Sequence, residues 1–343
     1  MASASVADRR ALRLALASAL ALALAYGLAF PLPFLAPLFV AFLSARPGPP
    51  LAARALLALL LVMVLSLGVG LLLIPLLVYF PLTALLVVFA GLYLAMYVTL
   101  ILGKQMLGLF LTVGFTFISV AGSVSSALAT AIIVSLGLAI STAVLCQWLV
   151  YPLLPEPSQD GTAAATGGEA ASVSNWLALR AALIVMPAYL LALTNPSQYL
   201  MTIMKSVSLG QQATVVDVHH AGRELLGSTF AGGLLAVAFW ALLSVHPTLW
   251  MFALWMAAAG LYVGCKLYGV LRTTVAPSFW VNALVTMLIL LGPAVEDTAK
   301  GKDAVTAFSV RFATFIGVTL YAWVAIAALE RWRKLRRTAR VAS

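Results

Sequence analysis

Apolar positions in this chain neither alternate nor form a single stripe; they come as long unbroken runs separated by short breaks at Pro, Gly and charge. A membrane-crossing helix needs about 20 mostly apolar residues, and such runs extend from near residue 11 to near residue 330 with one polar interruption. Runs such as 55–74 lack the two-residue alternation of an outer-membrane barrel strand. The breaks predict twelve helices in two sets of six: 11–30, 33–44, 51–79, 82–102, 106–121 and 124–150, then 176–194, 198–215, 219–244, 248–268, 276–293 and 304–330. Helices two and five of the first set are short for a full crossing, which points to tilted or half-inserted segments. The interruption, 154–174, is rich in Pro, Gly, Ser and Thr and holds Glu156, Asp160 and Glu169, so it reads as a flexible linker.

The sets match each other. Ala11-Leu12-Arg13-Leu14-Ala15-Leu16 corresponds to Ala178-Leu179-Arg180-Ala181-Ala182-Leu183 at an offset of 167, with five of six positions identical. Leu92-Tyr93 recurs as Leu261-Tyr262 and Arg54 as Arg223, both at offset 169, and Phe80-Pro81 aligns with His246-Pro247 at offset 166. The expected organisation is a first repeat at 1–153, a linker at 154–174, a second repeat at 175–332 and a basic tail at 333–343.

Composition then narrows the class: 64% of residues are hydrophobic and 9% charged, against about 25% charged in soluble domains. The expected fold is an all-α integral membrane protein of two parallel repeats of about six helices. The net charge of +10 sits at chain ends and breaks, where it sets topology rather than binding nucleic acid. With both termini cytoplasmic, sixteen of the twenty basic residues fall on that side: Arg9, Arg10, Arg13, Arg46, Arg54, Lys104, Arg180, Arg223, Lys266, Arg272 and six between Arg331 and Arg340. Lys300 and Lys302 fall outside. That asymmetry favours an even number of crossings per half; five per half would invert the second repeat. The long first apolar run leads into Pro31 and another run, so it reads as a retained span rather than a cleaved signal. Cys146 and Cys265 lie far apart in apolar segments and read as small core hydrophobes.

A charge inside a bilayer costs about 2.5–3.5 kcal/mol at a helix centre on insertion scales, so Lys205 and Arg311, both within spans, stand out. Gln198, Thr202, Lys205, Ser208 and Gln212 are spaced 4, 3, 3 and 4 apart and share a helix face. They read either as a stripe lining an anion path or as a lysine whose amine reaches the interface. Asp217-Val218-His219-His220-Ala221-Gly222-Arg223-Glu224 is the densest ionisable cluster. On a helix, His220 with Glu224 and His219 with Arg223 form i,i+4 pairs, suited to passing protons and holding a carboxylate. The alternative is a solvated loop and helix start, with Asp217 favoured by the helix N-terminus. Arg311 is a second anion contact or a residue reaching the interface to pair with Asp303 or Glu296. No metal site is expected, because adjacent histidines diverge on a helix and lack a third ligand. Nor is a cofactor or enzymatic activity: the chain has no Gly-Lys-Ser/Thr phosphate loop, GxSxG or HExxH. Glycines such as Gly114, Gly227, Gly232, Gly233 and Gly317 read as packing devices, and Trp148, Trp176, Trp250, Trp280 and Trp332 as interface anchors.

A basic residue opening the first helix, a short second helix, and Arg223 ahead of Gly227-Ser228-Thr229 and Gly232-Gly233 together resemble the fusaric acid resistance and aromatic acid exporter superfamily. Arg311-Phe312-Ala313-Thr314-Phe315-Ile316-Gly317 resembles that superfamily's last helix. The chain departs from larger members in its short linker and tail, and the first half has Ala58 and Leu59 where the small-residue motif falls. The resemblance implies export of small organic anions, often aromatic acids, across a Gram-negative inner membrane, with a periplasmic membrane-fusion-type adaptor as partner. A homo-oligomer is left open. The expected activity is proton-driven efflux, with Lys205, Gln198, Thr202, Ser208, Gln212, Arg223 and Arg311 binding substrate and Asp217, His219, His220 and Glu224 handling protons. The rivals are a passive organic-anion channel, to which the resemblance also extends, and a scaffold subunit of an efflux assembly.

Overall fold

The computed structural model of the chain describes residues 5–45, 48–155, 171–212, 218–299, 301 and 303–341. Twelve helices account for nearly all of them: α1 Val6–Gly27, α2 Leu35–Ser44, α3 Ala53–Tyr79, α4 Pro81–Leu100, α5 Gln105–Val124 and α6 Ser126–Val150, then α7 Ala171–Thr194, α8 Pro196–Gln212, α9 Val218–Val245, α10 Leu249–Leu267, α11 Pro277–Ala299 and α12 Ala304–Val341. Ten of these are long and apolar enough to cross a membrane, α2 and α8 being the shorter two. On α3, Leu57, Leu61, Leu65 and Leu72 are all exposed at helical spacing, an apolar face that only lipid or protein can cover. The chain is an all-α integral membrane protein.

Helix ends follow local chemistry. Ser5 and Asp8 form a capping box at α1, each side chain accepting from the other's backbone N–H. Pro81 opens α4, where its missing N–H costs nothing, and Thr248 caps α10 by accepting from Met251 N–H. Two elements differ from the sequence pattern. α5 is a full-length span, because the helix continues through a π turn at Gly114–Ile118 instead of breaking at its glycines. The basic tail continues α12 helically to Val341, since Ala, Arg, Lys and Leu are all good helix formers. The linker falls largely on 156–170, outside the described residues, and α7 begins at Ala171.

The chain clusters into two compact units, each drawing on both sequence halves: unit 1 is Met1–Leu61, Thr130–Thr166 and Ser228–Val310, and unit 2 is Val62–Ala129, Gly167–Gly227 and Arg311–Ser343. The divisions fall inside α3, α6, α9 and α12.

In unit 1, α1 packs along α10, α2 bridges α1 and α11, and α10 touches α11. The α1–α10 approach is close because glycines face it: a Cβ on Gly264 would lie 3.0 Å from Ala11 Cα, and one on Gly260 3.1 Å from Ala15 Cα. Phe34 occupies the space beside Gly292 that a Cβ would need. Ser44, the last residue of α2, accepts at its carbonyl from Tyr268 Oη at 2.6 Å and at its Oγ from Gln147 Nε2 at 3.2 Å. Arg10 and Arg13 of α1 line the same cleft. The start of α1 and the ends of α2, α6 and α10 therefore share one end of unit 1. Ten helical residues rise only about 15 Å, so the irregular stretch Leu28–Phe34 supplies the remaining length of the return.

In unit 2, α7 packs along α4, α8 lies against α7 and α5, and α4 touches α5. Gly70 and Gly114 face each other with no room for a Cβ on either, and Gly91 meets the Phe115 ring. Ile184, Leu209, Leu225, Ala322 and Ile326 gather α7, α8, α9 and α12 around one apolar core. Pro187 interrupts α7 and leaves the Leu183 carbonyl without its helical donor, and Tyr321 Oη of α12 donates to it at 3.1 Å.

Candidate functional site

The largest concentration of buried polar side chains in unit 2 lies on α8, α5 and α7. α8 starts with Pro196 in its first turn and runs unbroken to Gln212, which makes the 198-202-205-208-212 spacing a true helical face. Thr202, Lys205, Ser206 and Ser208 are all buried, and Lys205 is 0% exposed. From Thr202 to Gly210 only Met204 is half-buried, so protein surrounds α8 on every side there. Gly210 permits this: a Cβ would meet Val185 Cγ2 of α7 at 2.8 Å. Gln198 and Gln212 lie on the helix, but their side chains fall outside the described residues.

The helix facing α8 is itself polar. α5 buries Thr112, Thr116 and Ser119, each donating its hydroxyl to the carbonyl four residues back, at 2.7, 2.6 and 2.6 Å. These bonds flank and span the π turn, and they direct hydroxyl lone pairs away from the helix axis. Ser119 Oγ also lies 3.3 Å from Tyr189 Oη of α7, and Tyr189 is fully buried. Ser206 Oγ is buried with no hydrogen-bond partner among the described residues. Lys205 and the buried hydroxyls of α8 thus lie on a helix that packs against α5 and α7, which carry buried hydroxyls of their own. The sequence reading missed Ser206, Tyr189 and the α5 hydroxyls. Thr112, Thr116 and Ser119 are spaced 4 and 3 apart, a stripe visible in principle but lost among apolar neighbours.

The ionisable cluster divides. Asp217 lies outside the described residues; His219 and His220 lie on α9, with side chains outside them. α9 is continuous from Val218, so the 219/223 and 220/224 spacings are helical. Arg223 is exposed and Glu224 half-buried, beside Gly222, which leaves no room for a Cβ against Trp323 of α12. Arg311 is half-buried, eight residues into α12. Asp303 receives Thr306 N–H at 3.1 Å and Thr306 Oγ1 at 2.5 Å, which holds its carboxyl below the usual range. Among the described residues no His, Cys, Asp and Glu cluster is suited to a metal.

At the opposite sequence end of unit 2, Arg180 is 2% exposed and pairs with Glu330 at 3.1 Å. Trp176 Nε1 donates to the same carboxylate oxygen at 2.9 Å, and Trp332 stacks on Trp176. The arginine expected to mark topology is thus also a buried clamp between α7 and α12. In unit 1, Ser228 and Gly232 of the small-residue motif pack on α11: Asn282 Nδ2 donates to Ser228 Oγ at 2.5 Å, and Gly232 faces Ala283 and Thr286. That motif is a helix-crossing device here, as its small residues predict.

These features define a multi-pass helical membrane protein with a buried lysine on α8. A family model described as a protein of unknown function (DUF2955) matches residues 10–150, the stretch that ends with α6. No curated protein sequence and no solved structure matches the chain.

Proposed function

We propose that the protein is a proton-driven exporter of small organic acids, aromatic ones above all, working in a bacterial inner membrane with both termini cytoplasmic. The observation that carries this reading is Lys205, a fully buried lysine on a helix whose other buried polar residues, Thr202, Ser206 and Ser208, are hydroxyl-bearing. An ionisable group held at membrane depth marks a substrate or ion path, and a cation among hydroxyl groups suits a carboxylate. Thr202, Ser206 and Ser208 would add hydrogen bonds, with Arg223 and Arg311 as outer contacts and Asp217, His219, His220 and Glu224 handling protons. The resemblance to the fusaric acid resistance superfamily supports the same substrate class and a periplasmic adaptor partner.

The test is uptake of labelled aromatic and aliphatic carboxylates into inside-out vesicles, with and without an imposed proton gradient. Gradient-dependent accumulation above the external concentration is the expected result. Equilibration that ignores the gradient would replace the exporter with a channel.

A further inference from the structure

α12 runs unbroken for 38 residues to Val341, although its apolar span ends at Arg333. The residues beyond rise about 12 Å, past a headgroup layer of roughly 5–8 Å, so the end of the helix stands in water. Positions 331–340 hold Arg331, Arg333, Lys334, Arg336, Arg337 and Arg340, and no acid follows Glu330. Glu330 itself is taken by Arg180. The helix register divides these basic residues. Phe315, Thr319, Ala322 and Ile326 are buried, and Glu330 pairs with α7. Steps of 3, 4 and 3 residues carry that same face on from Glu330 through Arg333, Arg337 and Arg340, with Arg336 beside it. Arg331 instead follows Val324 by seven residues and Lys334 follows Leu320 by fourteen, both of them exposed apolar positions on the lipid side.

Lipid headgroups account for Arg331 and Lys334, but not for a stripe on the packed side of the helix. At Arg333 the guanidinium lies over the Trp176 ring, 5.5 Å from its centroid, so this face looks towards α7. A Cβ on Gly210 would lie 3.5 Å from the Ala181 carbonyl oxygen, which puts the end of α8, the Arg180–Glu330 pair and the stripe at one end of unit 2. Lys205 lies farther in along α8 by about 7.5 Å of rise. We propose that Arg333, Arg336, Arg337 and Arg340 form a collecting surface that draws small organic anions from the water to this end of unit 2. The inference rests on the exporter reading above and adds where its substrate is gathered. Charges along one helix face raise the local concentration of an anion through their summed field, and the effect fades as salt shortens the Debye length. The role needs their charge rather than an open guanidinium, so Arg333 serves while it lies over Trp176.

Two charge-matched pairs in the full chain test this: Arg336→Gln/Arg337→Gln on the stripe and Arg331→Gln/Lys334→Gln on the lipid side. In inside-out vesicles supplied with labelled benzoate, the stripe pair raises KM about threefold at low ionic strength and leaves kcat unchanged. The difference closes near 1 M salt, where the Debye length is about 3 Å, and the lipid-side pair keeps the wild-type KM. A readout independent of transport is Asn175→Cys, at an exposed position beside Trp176. With the rate of the native cysteines subtracted, this thiol reacts faster with an anionic methanethiosulfonate than with a cationic one. The stripe pair cuts that ratio about threefold and the lipid-side pair does not. If wild type moves no benzoate, the exporter reading fails and the thiol ratio alone decides whether the stripe gathers anions. Equal KM values for the two pairs with uptake intact, or equal thiol ratios, would overturn the proposal.

Discussion

α2 and α8 hold corresponding places in units 1 and 2, each lying between the first helix of its own half and the fifth helix of the other. They are opposite in character. α2 buries Leu35, Ala36, Pro37, Leu38, Phe39, Val40 and Ala41 without one polar side chain among them, while α8 buries Thr202, Lys205, Ser206 and Ser208. The other pairings also correspond: α1 with α10 and α7 with α4, α10 with α11 and α4 with α5. Matching helix pairings with unequal interiors separate what the fold needs from what it carries. An apolar α2 shows that this position can be filled by packing alone, so the cation on α8 is not a requirement of the architecture.

The largest expected effect comes from exchanging the two characters. Lys205 stands 167 residues after Leu38, the offset of the first repeat match. Leu38→Lys places a charge in a fully apolar core at a cost of at least about 3 kcal/mol, and fluorescence-detected size exclusion should show aggregated or absent protein. Lys205→Met, which swaps an ammonium for a similar apolar volume, should leave a monodisperse membrane protein with transport lost. A well-behaved Leu38→Lys variant would break the contrast.

Next come the crossings that hold each interior closed. Gly114→Leu, against the Ser66 carbonyl and Gly70, should overpack α3 and α5 by about 1–3 kcal/mol and lower the melting temperature. Gly317→Leu has open space around it and should melt as wild type. Equal effects would mean that the close approach does not exist. Smaller still is the clamp: Glu330→Gln keeps a hydrogen-bond acceptor for Trp176 but removes the charge opposite Arg180. Because the amide oxygen still accepts a hydrogen bond from buried Arg180, the loss should be about 1–2 kcal/mol rather than the full cost of an orphaned buried ion. Thermal melting of the variant beside wild type measures it.

The smallest effect concerns the turn into α12. Thr306 depresses the Asp303 carboxyl by hydrogen bonding, so its contribution is present above the ordinary aspartate range and fades as pH falls below about 4 toward the folded value. Asp303→Asn should therefore differ slightly from wild type at neutral pH and converge with it in acid. A difference that grows in acid would contradict the assignment.

Much of the fold was legible because membrane helices advertise themselves by run length. The expected helix ends fell within about two residues of the observed ones at α2, α3 and α10. The fifth helix read short because Gly122 looks like a break to a soluble-protein eye, yet Gly108, Gly114 and Gly122 are all points of close approach within one helix. Of the site, Lys205 and its helical face were legible, since a lone charge in an apolar run has no cheap explanation. Ser206, Tyr189 and the α5 hydroxyls were not, because pairing between helices distant in sequence decides which hydroxyls converge. The Arg180–Glu330 clamp spans 150 residues and left no local trace at all. His219 and His220 are legible only as spacing, their side chains lying outside the described residues.

The most direct test of the central claim is gradient-driven carboxylate uptake into inside-out vesicles by wild type, Lys205→Met and Lys205→Arg at matched membrane levels. The account predicts accumulation by wild type, a loss of at least about tenfold in Lys205→Met, about 1.4 kcal/mol of binding or transition-state stabilisation, and partial activity in Lys205→Arg. Undiminished gradient-dependent accumulation by Lys205→Met would contradict it.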